Sequence, residues 1–166
     1  MAKKVSVVIS HWYHLIEGLQ DSPQRFYALS EEAIKRRTVP DIKISHITYR
    51  EGGILSAKRE YLRIGRKEYL FDICAAPFGN GFFISWWLGE ALGFFWRLML
   101  VIPIWGELLW NLSRPATYYR LDTALMFQEM VHSAVLDVVD ALTEAKGLRG
   151  LSESERKPIL RELFKR

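Results

Sequence analysis

Two residues with the spacing of a metal site lie in the C-terminal third of the chain. Glu129 and His132 are three positions apart, the spacing by which carboxylate-bridged di-iron proteins place two ligands on one helical face. Such a centre needs a second Glu-x-x-His and two further glutamates, and the sequence holds no second copy of the motif. We therefore expect His132 to be a buried polar residue that pairs with Gln128, four positions earlier.

Two other pairs have residue types that bind metals or carry out nucleophilic catalysis. His11 and His14 share a face if their segment is helical, but no other residue completes a metal site by spacing. Cys74 and His46 would act as nucleophile and base if their strands adjoin. Asp72 opposes the low thiol pKa that such a nucleophile needs. We expect no catalytic residue, no metal and no cofactor.

The middle of the chain is unusually rich in tryptophan. Five of the six tryptophans lie between positions 86 and 110, and Trp87 and Trp105 are 18 residues apart. That spacing is about 27 Å along a helix, close to the roughly 30 Å of a bilayer's hydrocarbon core, whose edges favour tryptophan. We expect residues 82–112 to be a membrane-associated, largely helical segment. Its expected lipid contacts are Phe82, Phe83, Trp86, Trp87, Trp96, Arg97, Trp105 and Trp110.

The way in which this segment meets the membrane stays open. Eleven Leu, Ile, Val and Phe residues between positions 88 and 109 favour insertion by about 3–6 kcal/mol, whereas Arg97 near the centre costs about 3 kcal/mol. Arg66 and Lys67 precede the segment and Arg114 and Arg120 follow it, so positive charge favours neither orientation. A re-entrant hairpin, an interfacial helix and a single span are the alternatives, and burial in a soluble protein is the competing interpretation.

The elements around this segment predict an α+β fold. Ser22 and Pro23 begin a helix that ends before Pro40, and a long helix runs from Thr117 to Lys146, where Gly147 ends it. Alternation predicts a small antiparallel β-meander of about four strands, at 41–50, 55–64, 68–75 and 81–88, with a tight turn at Asn80-Gly81. A short charged helix is expected after Leu151.

These elements divide the chain into three regions. We expect residues 1–81 to form a cytoplasmic α+β domain, residues 82–112 to form the membrane-associated hydrophobic segment, and residues 113–166 to form a C-terminal helical region that packs on the β domain or a partner. The apolar arc of the long helix is too wide for packing on one sheet face alone. We therefore expect that helix to contact the β domain and also the hydrophobic segment, a protein partner or a second copy.

A basic cluster precedes the hydrophobic segment. It holds two lysines and three arginines within ten residues, with two glutamates interleaved: Lys58, Arg59, Arg63, Arg66 and Lys67. Near an anionic leaflet each such cation contributes about 1 kcal/mol, so these residues are candidates for contact with lipid headgroups. A solvated sheet face is the alternative, and the interleaved acids argue against nucleic acid as a partner.

Composition places the chain on the cytoplasmic side of a membrane. One cysteine excludes an intramolecular disulfide framework, and the first apolar run is too short for a signal peptide. We expect a non-enzymatic accessory or scaffold protein, at the inner membrane if bacterial, that binds lipid and a protein partner or itself. The alternatives are a membrane-bound enzyme acting on a lipid-like substrate through His132, Gln128 and Arg97, and a soluble oligomeric subunit.

Overall fold

A computed structural model describes residues 5–50, 58–91 and 117–160. Within these ranges the chain forms six strands and two helices. They are β1 (Val5–Glu17), α1 (Pro23–Arg36), β2 (Ile42–Arg50), β3 (Lys58–Arg66), β4 (Tyr69–Phe78), β5 (Gly81–Ala91), α2 (Tyr118–Ala145) and β6 (Ile159–Leu160).

The strands form one antiparallel sheet in the order β2-β3-β4-β5-β1-β6. The predicted α+β class is confirmed, and the four predicted strands are present as β2 to β5. The expected number of strands was too low, because β1 and β6 also join the sheet. Strand β1 lacks an apolar-polar alternation: Trp12 and Ile16 point to one face, and Tyr13 and Leu15 point to the other. Its sequence therefore does not show the usual pattern of a half-buried strand.

The segment after Leu151 is a turn followed by β6, and the expected short helix is wrong. The Ser152 amide does donate to the Glu155 carboxylate at 2.7 Å, as a capping box predicts. Pro158 follows two residues after Arg156, and the residue before a proline avoids the helical region. The turn is thus not extended into a helix, and Ser10 and His11 of β1 pair with β6 instead.

Both predicted long helices are confirmed, with the caps that the sequence indicates. The Ser22 hydroxyl accepts from the Arg25 amide at 3.1 Å, and Thr117 caps α2 in the same way. Gly147 follows α2 with φ +62°, a conformation that costs glycine little. The Arg37 guanidinium donates to Asp137 at 2.7 Å and so links the end of α1 to α2.

The core lies between the two helices and one face of the sheet. Phe26 of α1 meets Phe82 edge to face at 5.9 Å, and Phe127 of α2 meets Phe71 at 6.1 Å. The wide apolar arc of α2 packs here, with residues three and four apart buried along its length. They include Ala124, Phe127, Val131, Ala134, Val135, Val138, Val139 and Leu142.

Strand β5 runs across the predicted boundary between residues 81 and 82. It extends to Ala91 and lies between β4 and β1, so the first ten residues of the expected membrane-associated segment belong to the sheet. We expected a helical segment from residue 88 onward. This expectation is wrong for residues 88–91, which belong to strand β5. Trp96, Arg97, Trp105 and Trp110 lie outside the described residues.

Candidate functional site

The sheet has one face that neither described helix covers, which we call the open face. Ring contacts and hydrogen bonds from α1 and α2 reach one set of alternate residues, such as Phe82 and Trp86. The opposite set lies on the open face. One row of directly paired residues crosses it from β1 to β2: His11, Trp87, Asp72, Arg63 and Ser45.

Aromatic rings occupy the open face on β1 and β5. The imidazole of His11 stacks on the indole of Trp87 with centroids 4.7 Å apart, and the rings of Tyr13 and Phe83 lie 6.5 Å apart. Tyr13 is 56% exposed and Trp87 41% exposed. We call these four residues the aromatic patch. Exposed aromatic side chains that cluster in this way are typical of a contact surface.

A buried ion pair separates the aromatic patch from the other half of the open face. Arg63 Nε and Nη2 each donate to one Asp72 carboxylate oxygen at 2.6 Å, and Arg63 also donates to the Tyr49 hydroxyl. Burial alone would lower the pKa of Arg63, but the hydrogen bonds and charge of Asp72 outweigh it and raise that pKa. The charge of Arg63 is therefore offset by Asp72 within the sheet.

A cleft of about 370 Å³ opens on the other half of the open face, across β2, β3 and β4. Gly65 forms part of its floor. A Cβ built there would make only ordinary contacts, 3.5 Å from Leu70 Cδ2 and 3.8 Å from the Lys43 carbonyl. We call this the basic cleft. It is lined by Asp41, Lys43, Ser45, Ile47, Arg63, Gly65, Lys67 and Leu70.

The five predicted headgroup residues are divided by the sheet. Arg63 and Lys67 line the basic cleft, and Arg59 lies on the open face opposite Tyr49. Lys58 and Arg66 alternate to the other face, where Arg66 donates to the Pro40 carbonyl at 3.2 Å. The cleft also includes a residue that the sequence argument missed, Lys43. Strand alternation was the available signal, because Lys43 pairs with Gly65 and thus shares the face of Arg63.

Gln128 and His132 are both buried, but they do not bond to each other. The Ser10 hydroxyl donates to Gln128 Oε1. Trp86 Nε1 donates to His132 Nδ1 at 3.0 Å, and His132 Nε2 donates to the Arg156 carbonyl at 2.7 Å. Burial lowers the pKa of His132, which fits a neutral ring with one donor and one acceptor nitrogen. Gln128 thus connects β1 to α2, and His132 connects β5, α2 and the C-terminal tail.

The tail after α2 is held in place by polar contacts that the sequence argument missed. Trp12 Nε1 donates to the Glu155 carbonyl at 2.6 Å, and Arg156 donates to both Asp140 carboxylate oxygens at 2.7 and 2.9 Å. Hydrogen bonds from the Arg149 guanidinium and the Ser152 amide hold the pKa of Glu155 at about 2. The contacts of Trp12 and Asp140 with the tail join residues that are distant in sequence, so no local pattern indicates them, whereas the spacing of Ser152 and Glu155 does indicate theirs.

The remaining candidate pairs are not brought together. His11 lies on the open face and His14 on the helix-covered face, because β1 is a strand. Cys74 and His46 likewise lie on opposite faces, and His46 instead bonds to Glu60 at 2.9 Å. Burial raises the pKa of the Cys74 thiol. Within residues 5–50, 58–91 and 117–160, no three His, Cys, Asp or Glu side chains cluster as metal ligands would.

The four described residues of the expected lipid-contacting set fall into two groups. Phe82 and Trp86 lie in the core with no exposed surface, whereas Phe83 and Trp87 lie on the open face. Neither helix in the described part of the chain is long and apolar enough to cross a membrane.

Residues 91 and 117, which flank the undescribed stretch, lie at the same end of the sheet. The Ala91 amide donates to the Glu68 carbonyl at 2.8 Å, beside the turn between β3 and β4. Arg120, in the first turn of α2, pairs with Glu90 at 2.9 Å, and its carbonyl accepts from the Tyr69 hydroxyl at 2.9 Å. We call this the exit end. The basic cleft opens beside it.

Comparison of the chain with protein-family models, with curated proteins and with solved structures found no match.

Proposed function

We propose that this chain is a non-enzymatic, membrane-associated docking protein. In this proposal the open face lies against the inner leaflet, the apolar residues that follow β5 enter the membrane, and α2 presents a surface to a protein partner or second copy. The observation that carries the proposal is the aromatic patch, which is exposed on β1 and β5, and β5 leads directly into the apolar stretch. Tyr118, Tyr119 and Met126, all exposed on α2, are available to the partner.

The position of the exit end supports a particular membrane arrangement. Residues 5–50, 58–91 and 117–160 pack together, so Ala91 and Thr117, on either side of the stretch between them, lie on one side of any membrane. A helical crossing takes about 20 residues, and the 25 residues from 92 to 116 are too few to cross and return. Of the three arrangements expected, the proposal therefore keeps the re-entrant and interfacial ones and sets aside the single span.

The chemistry of the open face supports lipid as its occupant. Aromatic rings favour the boundary between headgroups and acyl chains, and the basic cleft beside them carries lysines that complement anionic headgroups. Binding to a membrane interface uses the burial of apolar surface and the attraction of opposite charges, and the open face provides for both. A membrane containing anionic lipid can engage both halves of this face at once.

Flotation with lipid vesicles tests the proposal on the full-length chain. Vesicles containing phosphatidylglycerol should carry the protein upward in a density gradient. Replacing Tyr13→Ser and Trp87→Ser together removes two half-exposed rings. Since each contributes about 1 kcal/mol on partial burial, partitioning should fall roughly 30-fold.

The matched control carries Met126→Ser and Leu160→Ser, which removes two apolar side chains that are at least as exposed but lie off the open face and away from the exit end. That variant should partition like the parent chain. The proposal fails if the parent chain stays with the aqueous fraction, or if the control loses as much binding as the open-face variant.

A further inference from the structure

We propose that the basic cleft is a binding site for the phosphate group of an anionic phospholipid headgroup. This inference rests on the proposed function, since it names the part of the lipid that the open face recognises. It is carried by the juxtaposition of Lys43 and Lys67 over the floor that Gly65 leaves open.

The two lysines are available to a ligand. Both line the cleft and are exposed, and neither side chain has a hydrogen-bond or ion-pair partner within the described part of the chain. Most other cations of the domain are engaged, as Arg120 is with Glu90 and Arg156 with Asp140. Two ammonium groups that line one cleft without carboxylate partners both attract an anion that enters it.

The shape of the cleft fits a phosphate with its glycerol. Its volume of about 370 Å³ equals roughly a dozen waters at about 30 Å³ each. Ser45 adds a hydroxyl to the lining, and Leu70 and Ile47 add apolar wall. The Gly65 backbone lacks a side chain that would fill the space. The lining can therefore offer ammonium and hydroxyl donors to the phosphate and apolar contact to the carbons beside it.

Asp41 is the acidic member of the lining and opposes an anion there. Its φ of +59° lies in the left-handed region, which asparagine also adopts readily. Asp41→Asn therefore removes the opposing charge without straining the turn. If the cleft binds phosphate, this change strengthens binding, a gain that partial unfolding cannot imitate.

In the proposed arrangement, with the open face against the leaflet, the basic cleft lies at the level of the lipid headgroups. Strands lie about 4.8 Å apart, so β3, which contributes Gly65, is roughly 10 Å from β5. Leu70 pairs with Gly65 on one side and with Gly89 on the other, two residues before the chain leaves the sheet at Ala91. The site thus lies at the level where the apolar stretch would meet the interface.

Two measurements on the full-length chain separate the site from the docking function. Binding of soluble glycerol 3-phosphate is measured by NMR shifts or calorimetry, and binding of phosphatidylglycerol vesicles by flotation. Lys43→Ala with Lys67→Ala should weaken both by roughly 30-fold, because each cation contributes about a fivefold effect. Lys35→Ala with Lys146→Ala changes net charge equally, away from the cleft, and should have little effect on the soluble ligand.

Two further variants keep the lysines. Gly65→Leu should fill the cleft and weaken glycerol 3-phosphate binding at least tenfold, and Asp41→Asn should strengthen it roughly fivefold. The inference is overturned if the cleft variants and the control pair behave alike, or if glycerol 3-phosphate does not bind. Vesicle binding that survives in all cleft variants would overturn the site but leave the docking function standing. Soluble binding without vesicle binding would support the site as a free-phosphate site and overturn the docking function.

Discussion

Acidification should destabilise this domain through His132. Its ring is buried between Trp86 and the tail, and both of its nitrogens are used, one as acceptor and one as donor. A proton on Nδ1 would face the Trp86 N–H and break that bond. Burial lowers the folded-state pKa below its ordinary value of 6.5, although Glu129 acts to raise it. The unfolded chain therefore binds the proton more tightly than the folded domain.

The sign and size of the effect follow from proton linkage. Stability is fully present above pH 6.5 and is lost as the pH falls below it, because the unfolded state takes up the proton. Between pH 7.5 and pH 5.5 one such group removes up to about 1.4 kcal/mol of unfolding free energy. Urea denaturation followed by circular dichroism at both pH values measures that loss.

Two substitutions isolate the contribution of His132. His132→Gln keeps one donor and one acceptor but does not titrate, so its pH dependence should be weaker than that of the parent by the same amount. His132→Leu leaves the Trp86 N–H and the Arg156 carbonyl without partners, at about 1–3 kcal/mol each. Equal pH dependence in the parent chain and His132→Gln would refute this reasoning.

Three further perturbations test the sheet. Asp72→Ala leaves the buried Arg63 charge without its carboxylate and should lower the free energy of unfolding by about 3–5 kcal/mol. Asp72→Leu combined with Arg63→Met removes both charges and should recover most of that loss. Urea denaturation measures both variants, and equal instability would disprove the role of the pair. Cys74, only 1% exposed and with a raised pKa, should react with a thiol reagent only on unfolding, and stoichiometric labelling of the native chain would contradict its burial. Gly81→Ala puts a Cβ 2.9 Å from a β1 carbonyl oxygen and should lower the midpoint of thermal unfolding by several degrees. The control Gly150→Ala places its Cβ in open space and should leave the midpoint unchanged. Equal midpoints for the two variants would show that the contact at Gly81 is absent.

The elements that the sequence predicts correctly are those with local signals. Caps at Ser22 and Thr117 and the glycine after α2 are each determined by neighbouring residues. The tight turn between β4 and β5 is present, but its central residues are Gly79 and Asn80, one position earlier than the predicted Asn80-Gly81, because Phe78 pairs with Gly81 and Gly79 takes the positive φ of +59°. Strand β1 has no such signal, because it is apolar or aromatic on both sides. Its partner β5 lies some 70 residues away in the chain, and only the tertiary pairing reveals it.

The candidate site likewise has one part with a local sequence signal and another that depends on contacts between distant residues. Tryptophan enrichment singled out a region that includes β5, but the sequence alone could not assign Trp86 to the core and Trp87 to the open face. That assignment depends on which face the helices cover. The basic cluster was likewise found as a run, whereas the cleft takes Lys43 from a different strand. Which cations line the cleft depends on the pairing between strands, which a run in the sequence does not show.

The most direct test of the account is the environment of one residue on the open face. In a Cys74→Ala chain, Tyr13→Cys is labelled with the environment-sensitive fluorophore NBD, and Gln24→Cys, on the exposed side of α1, serves as the control. On addition of phosphatidylglycerol vesicles, the probe at position 13 should brighten and shift to shorter wavelength, and the probe at position 24 should not change. An unchanged spectrum at position 13 while the chain binds vesicles, or equal changes at both positions, would contradict membrane contact through the open face.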